Sequence, residues 1–358
     1  MPGVAPSSIL DLVKSTLVEE PRMKFAETMA QTDYPLIRIF FEEAREKISS
    51  GRGLQWNMRL RTNGSFKFVR MYQITPNNYV NVMGKASMEW TMQEMKLFFD
   101  ERQEEFNSGQ PEQLYDHIES QESAMYEDGV SGIDAALAQA PNFLGDDLSY
   151  AGIPYWLPPA ATGTAAPTGG FTGTTAYFRD GTSTSLIGGL DASDPLNERH
   201  KSYIHTWGGR VDSSFYEALR RCMTRTDFKM LDQLKGKTRR SGGQRYLLAG
   251  HDLSDQIEKY ANAHDPQGQD PMRMKLDAIT IRGVKPIRVP TFDALWPTSV
   301  IGCWTKHLYA CVHKNRWMKR RTYPHGENPN LIISQVDCTS QMICDDRQKA
   351  GFHLHVVR

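Results

Sequence analysis

Ten histidines and five cysteines are the residues of this 358-residue chain best suited to binding a metal or moving a proton. Zinc proteases set two histidines four apart on one helix face, with a glutamate between them as general base. None of the pairs His200/His205, His307/His313 and His353/His355 has that spacing or an intervening glutamate. His353 and His355 stand two apart, which puts both on one face of a strand. Cys303 and Cys311 flank His307, with His313 just beyond, a donor set chemically suited to zinc but at the spacing of no zinc finger. Trp304, Leu308, Tyr309 and Val312 among them read as core packing instead.

Acyl and phosphoryl transfer leave equally little trace. There is no G-x-S-x-G, no G-x-x-x-x-G-K-[ST], and no G-x-G-x-x-G between a strand and a helix. Gly242-Gly243 falls in a basic loop, Lys237-Thr-Arg-Arg-Ser-Gly-Gly-Gln-Arg. We therefore read the chain as non-enzymatic, with no cofactor and no metal. The strongest alternative of another class is a nucleic-acid-binding module. It would use the basic clusters Lys235–Arg245 and Lys314–Arg321 on phosphates, with Trp317 stacking on a base. Against it, 42 Lys and Arg balance 42 Asp and Glu, so any such contact must be local.

The odd cysteine count without C-x-x-C spacing fits a reducing compartment. No run of about 18 apolar residues offers a membrane span, and Met1 to Ser8 does not read as a secretion signal.

The elements that would position these residues are helices and strands in alternation, an α+β pattern. Apolar spacing predicts helices over Ile9–Leu17 and Pro35–Lys47. Leu54–Tyr72 reads as a β-hairpin about Asn63-Gly64, a dipeptide suited to a type I′ turn. That fold pairs Leu60 with Lys67, Met58 with Val69 and Trp56 with Met71, and its apolar face needs a partner surface, which a neighbouring copy could supply. Met88, Met92, Met95 and Phe99, then Leu114, Ile118 and Met125, predict amphipathic helices that end at Gly129. A short helix over Gly132–Ala140 and a long exposed loop over Pro158–Gly189 follow. Further on come helices at Ser213–Met223 and from Asp252. Strands are expected at Tyr246–Ala249, Ala278–Val289, Leu308–Val312, Asn330–Ile343 and Phe352–Val357.

Charge is segregated along the chain. No acidic residue occurs from Ile48 to Met88, where Arg52, Arg59, Arg61, Lys67, Arg70 and Lys85 supply six positive charges. From Glu89 to Asp128 there are twelve acidic residues against Lys96 and Arg102. Such segregation is either a solvated surface or a contact between copies, with Arg59, Arg61, Phe66, Lys67, Phe68 and Arg70 of one lying on Glu112, Asp116, Glu119 and Glu122 of the next. Such a heterologous contact can propagate.

The order of elements resembles that of tailed-bacteriophage major capsid proteins, the Hong Kong 97-like fold. Gly152-Ile-Pro-Tyr-Trp, Arg179–Arg210 and Tyr246-Leu-Leu-Ala-Gly-His are similar to the middle of those proteins. Ile279-Thr-Ile-Arg-Gly-Val-Lys-Pro-Ile-Arg-Val-Pro, His307-Leu-Tyr-Ala-Cys-Val-His-Lys-Asn-Arg-Trp and Gln341-Met-Ile-Cys-Asp-Asp-Arg-Gln-Lys-Ala-Gly are similar to family strands in the same order. The resemblance runs from about residue 30 to the end. It implies an N-terminal arm (1–48), an extended loop (49–88), a peripheral domain with a spine helix (89–132), an axial domain (133–321) and C-terminal strands that return to the peripheral domain (322–358). It further implies hexamers and pentamers forming a shell around packaged double-stranded DNA, in a virion assembled in the host cytoplasm. Portal, scaffolding and cement proteins are the implied partners, and no membrane. Lys67 and Lys85 are the hairpin-side candidates for the covalent crosslinks some members carry. An arm of 48 residues leaves little room for a fused scaffold, so a separate scaffold or a cleaved precursor is expected.

Overall fold

The computed structural model describes residues 34–49, 51–61, 63, 64, 66–71, 73, 81–100, 102, 111–159, 169–226, 243–263, 281, 284, 286–326, 328 and 330–356. For residues 111–120 the description is of backbone alone. The predicted helix at Ile9–Leu17 lies outside the described residues.

The described chain opens with a short helix, α1 (Pro35–Ile37), which passes into a π-helical turn over Arg38–Glu43. Strand β1 (Arg45–Ile48) follows, then β2 (Gly53–Arg59), β3 (Met83–Glu89) and β4 (Thr91–Asp100). The long helix α2 (Pro111–Leu137) leads to one turn, α3 (Ile153–Trp156). Five two-residue strands come next: β5 (Gly170–Phe171), β6 (Ala176–Tyr177), β7 (Ser183–Thr184), β8 (Leu186–Ile187) and β9 (Leu190–Asp191). Then come β10 (Tyr203–Trp207), α4 (Ser213–Thr226), β11 (Arg245–Ala249), α5 (His251–Ala263), β12 (Pro286–Arg288) and α6 (Pro290–Leu295). The chain continues with β13 (Val300–Trp304), β14 (Leu308–His313), β15 (Lys319–Pro324), β16 (Leu331–Cys344), α7 (Arg347–Ala350) and β17 (Gly351–Val356).

Two sheets organise these elements. In one, the strands run β1-β14-β16-β15, and β4 lies along the other side of β16. In the other the order is β12-β11-β13-β17-β10-β5. Tyr309, Cys311, Val336 and Met342 of the first belong to one buried apolar cluster with Phe40 and Phe41 of the π-helical turn and Val130, Ile133 and Leu137 of α2. The second packs Phe352 and Leu354 against Phe215, Leu219 and Cys222, which share one face of α4 at helical spacing. β17 sits centrally between β13 and β10.

Several expectations are corrected. Met92, Met95 and Phe99 read as a helical stripe, but Thr91–Asp100 is a strand paired with β16 over ten residues. Thr91, Leu97 and Phe99 on its inner face are buried while Met92 and Phe98 are exposed, so period two wins once a long partner strand is available. Helix α2 passes through Gly129 and absorbs Gly132–Leu137. Gly129 is not a cap: a Cβ there would collide with the Met95 side chain, so the missing atom lets α2 lie close on β4.

The helix from Pro35 stops at Glu43, because Arg45–Ile48 pairs in parallel with β14. Of Ala278–Val289, Pro286–Arg288 is strand and Ile281 and Val284 form an isolated bridge. Within 158–189 the described part carries short paired strands and buries Ala176 and Ile187. The C-terminal segment divides between sheets: β16 belongs to the first and β17 to the second.

Candidate assembly interface

The hairpin exists with a different register and a longer reach than its turn signal predicts. β2 pairs with β3, setting Trp56 opposite Ala86, Met58 opposite Gly84 and Arg59 opposite Met83. The predicted partners Lys67, Val69 and Met71 are therefore not in the ladder. Gly64 does take the left-handed φ of 62° that the Asn-Gly reading requires, but the pairing already ends at Leu60 and Val82, so it closes no two-residue turn.

The hairpin's apolar face is also covered by its own chain. Leu54, Trp56, Met58 and Leu60 are buried. Trp56 donates its indole N–H to the Cys344 carbonyl at 3.0 Å and lies 6.1 Å, centroid to centroid, from Trp156. The Ser87 amide donates to Gly188 and the Arg199 amide to Leu60, which fixes the lower hairpin to the segment after α3. No neighbour is needed there.

Beyond Leu60 the cover ends. Phe66 is 80% exposed, Phe68 93% and Met71 84%, and Val69 is exposed as well. The two phenylalanine rings meet edge to face at 5.2 Å, a contact too small to hide either from water. Arg59, Lys67 and Arg70 are exposed around them. Arg61 is half-buried and donates from Nε to the Asn81 carbonyl at 2.7 Å, tying together the two sides of the tip.

On the acidic side, Glu112, Asp116 and Glu119 stand at helical spacing on α2. Glu122 is engaged within the chain: it pairs with Arg320, whose guanidinium also lies over the Tyr126 ring. Burial, against the opposing charge of Arg320, raises the Tyr126 hydroxyl to about 12.

The nucleic-acid reading loses its aromatic platform. Trp317 stacks on Phe41 at 5.1 Å and 10°, with Arg45 over the ring, so its faces are spent inside the subunit. Arg321 pairs with Asp337 at 3.4 Å. Of the other cluster, residues 235–242 lie outside the described residues, and Arg245 sits over Trp304.

Cys303 and Cys311 are buried in different sheets. Desolvation pushes the Cys303 thiol up to about 12. Among the described residues no group of three His, Cys, Asp or Glu could hold a metal ion. His353 and His355 do share a strand face, 5.5 Å apart, on a central rather than an edge strand, and both are buried.

Sequence reasoning missed a second exposed apolar surface. Phe143, Leu144 and Leu148 follow α2 in the turn after Pro141 and are each more than half exposed. The run Pro-Asn-Phe-Leu-Gly-Asp-Asp-Leu was its only signal.

No protein-family model and no curated protein sequence matches the chain. Solved structures do. The structure described as the cyanophage A-1(L) capsid asymmetric unit aligns over 91% of this chain and 93% of its own, with a TM-score of 0.57 at 12% identity. The capsid of a native GTA particle aligns over 92% and 91%, with a TM-score of 0.55 at 9% identity. At such identities the likeness is one of fold, and it covers nine-tenths of the chain. The chain has the capsid fold of tailed bacteriophages and GTA particles, the Hong Kong 97-like fold.

Proposed function

We propose that this chain is a major capsid protein, a structural subunit rather than an enzyme, that assembles with its own copies into hexamers and pentamers. These close a shell around packaged double-stranded DNA in a virion built in the host cytoplasm. The supporting observation is an arm fixed to its own subunit at the base and bare at the tip, with Phe66 and Phe68 80% and 93% exposed. An isolated subunit gains nothing from such a tip; a neighbour that covers it gains buried apolar area at about 25 cal/mol per Å². In this reading the five-stranded sheet with α2 is the peripheral part. The six-stranded sheet, including β17, is the axial part around each capsomer. Portal and scaffolding proteins would act as the lattice is built, and cement proteins on the finished lattice.

The test is size-exclusion chromatography and negative-stain microscopy at low and high salt. The unmodified chain should give capsomer rings or closed shells, and the tip variants Phe66→Ser/Phe68→Ser and Arg59→Glu/Arg61→Glu should give neither while remaining folded. An unmodified chain that stays monomeric under every condition would refute the proposal, and normal shells from both variants would refute the role of the tip.

A further inference from the structure

Asn63-Gly64 is the one Asn-Gly bond in the chain; every other asparagine is followed by a residue that bears a side chain. The strand pairing ends at Leu60 and Val82, so this bond lies beyond the last rung of the ladder. Both residues are exposed, and a Cβ built on Gly64 would meet no atom within 4 Å. Gly64 has a φ of 62°, a conformation that glycine leaves and re-enters at little cost. Arg59, Arg61, Lys67 and Arg70 all lie within seven residues of Asn63, and no acidic residue occurs from Ile48 to Met88.

We propose that Asn63 is a site of spontaneous deamidation in the unassembled subunit. Hydroxide removes the proton of the Gly64 amide, and that nitrogen attacks Cγ of Asn63. The bond from Cγ to Nδ2 then breaks, and Nδ2 leaves as ammonia with a proton from water, closing a five-membered succinimide. A water molecule opens the ring. Opening at Cγ gives aspartate, whereas opening at the main-chain carbonyl gives isoaspartate, with one extra methylene in the backbone. One water is consumed and one ammonia released, with no oxidant or reductant. Either product sets one new carboxylate among the four cations.

Three features select this bond. Gly64 carries no side chain to obstruct the approach of its nitrogen to Cγ. No strand pairing has to break before the backbone rotates into the attacking geometry. Ring closure passes through an anion, which the neighbouring cations stabilise with no nearby carboxylate in the sequence to oppose them. The closest comparable bond, Asp180-Gly181, is also exposed. Its ionised carboxylate is a poorer electrophile than an amide, and Oδ1 is engaged, accepting from the Thr182 amide at 2.7 Å and hydroxyl at 2.6 Å. The inference does not depend on the shell reading, since it concerns a bond of the free subunit.

Peptide mapping by mass spectrometry tests it. The full chain, kept too dilute to assemble, is incubated at neutral and mildly alkaline pH beside the same chain in urea. The tryptic peptide 62–67 should convert to two products of acid rather than amide mass, one of them a substrate for isoaspartyl methyltransferase. Conversion should quicken in proportion to hydroxide. Its half-time in the folded chain should lie within about threefold of that in urea, as befits a bond outside the paired structure. Asn63→Gln should abolish both products, because the six-membered ring closes far more slowly. Gly64→Ala should slow conversion by about tenfold, through lost backbone freedom and the added methyl group. A folded chain whose 62–67 peptide stays unmodified while the chain in urea converts overturns the proposal. So does conversion that yields aspartate alone, or that proceeds unchanged in Gly64→Ala, since neither outcome fits a succinimide.

Discussion

Arg347 and His200 are locked together deep between the two sheets: the fully buried guanidinium donates from Nη1 to the His200 carbonyl at 2.7 Å and from Nε to the Trp156 carbonyl at 3.0 Å. Burial lowers the Arg347 pKa to about 10, so the residue remains charged at neutral pH. The side chain thus ties α7 to α3 and to the start of β10. Arg347→Ala orphans two buried carbonyls and opens a cavity, a loss of about 3–5 kcal/mol. Arg347→Lys should recover part of it, since one ammonium cannot reproduce the planar fork. Denaturant midpoints of the isolated subunit measure both, and an unchanged midpoint for Arg347→Ala would remove this residue from the core's supports.

Acid should destabilise the subunit through histidines before it does so through carboxylates. Burial, with the Arg347 charge added, lowers His200 to about 3. Burial and then the His355 ring lower His353 to about 3, and burial lowers His307 to about 4, against the pull of Asp346. The folded state keeps these rings neutral while an unfolded chain binds protons below about 6.5. Stability therefore falls as pH drops from about 6.5 towards 3, by up to about 1.4 kcal/mol per pH unit for each group. Above about pH 4.5, the carboxylates held low by hydrogen bonds, Asp191 and Asp212 among them, stay ionised and contribute little to the slope. His353→Gln should flatten the dependence of the urea midpoint between pH 6.5 and 4.5, and an unaltered slope would contradict the assignment.

The same buried groups show what a sequence discloses about such a fold. Strands carried by continuous apolar runs, such as Leu308–Val312 and Tyr246–Ala249, were readable because their own residues decide them. β4 was not: its methionines, three apart, fit the helical period, and only pairing with β16, more than 200 residues away, overrides it. Hairpin register failed for a related reason. Asn63-Gly64 marks a real left-handed turn, yet the strand pairing is set by Trp56 seeking Cys344 and Trp156, contacts that no local pattern announces. The contact proposed for Phe66 and Phe68 was read from charge and aromatic content, whereas the exposure of Phe143, Leu144 and Leu148 was not, because it depends on what the rest of the chain leaves uncovered.

Glu122 and Arg320 form a partly buried pair whose worth is internal to the subunit, with 20% and 12% of their side chains exposed. Glu122→Ala and Arg320→Ala should each destabilise the subunit, and the double variant should lose less than their sum, by about 1–2 kcal/mol of coupling. Neither change touches the hairpin tip, so shells of Glu122→Ala should keep their normal yield and morphology at a temperature where the variant is folded. Loss of shells from a stably folded Glu122→Ala subunit would return the acidic helix to the interface.

Gly129 and Met95 should show an interaction of opposite character. In the interior of α2, alanine favours helix over glycine by about 1 kcal/mol, so Gly129→Ala ought to stabilise the chain on propensity alone. The new methyl group, however, takes the space of the Met95 side chain, which lies directly over Gly129 where α2 rests on β4. Met95 must rotate away, and its lost packing cancels the helical gain. The expected result is a Gly129→Ala subunit no more stable than the parent, and a clear gain of about 1 kcal/mol when the same change is made in a Met95→Ala background. Equal effects in the two backgrounds would mean that the glycine serves the helix alone, and that the close approach of α2 to β4 does not depend on it.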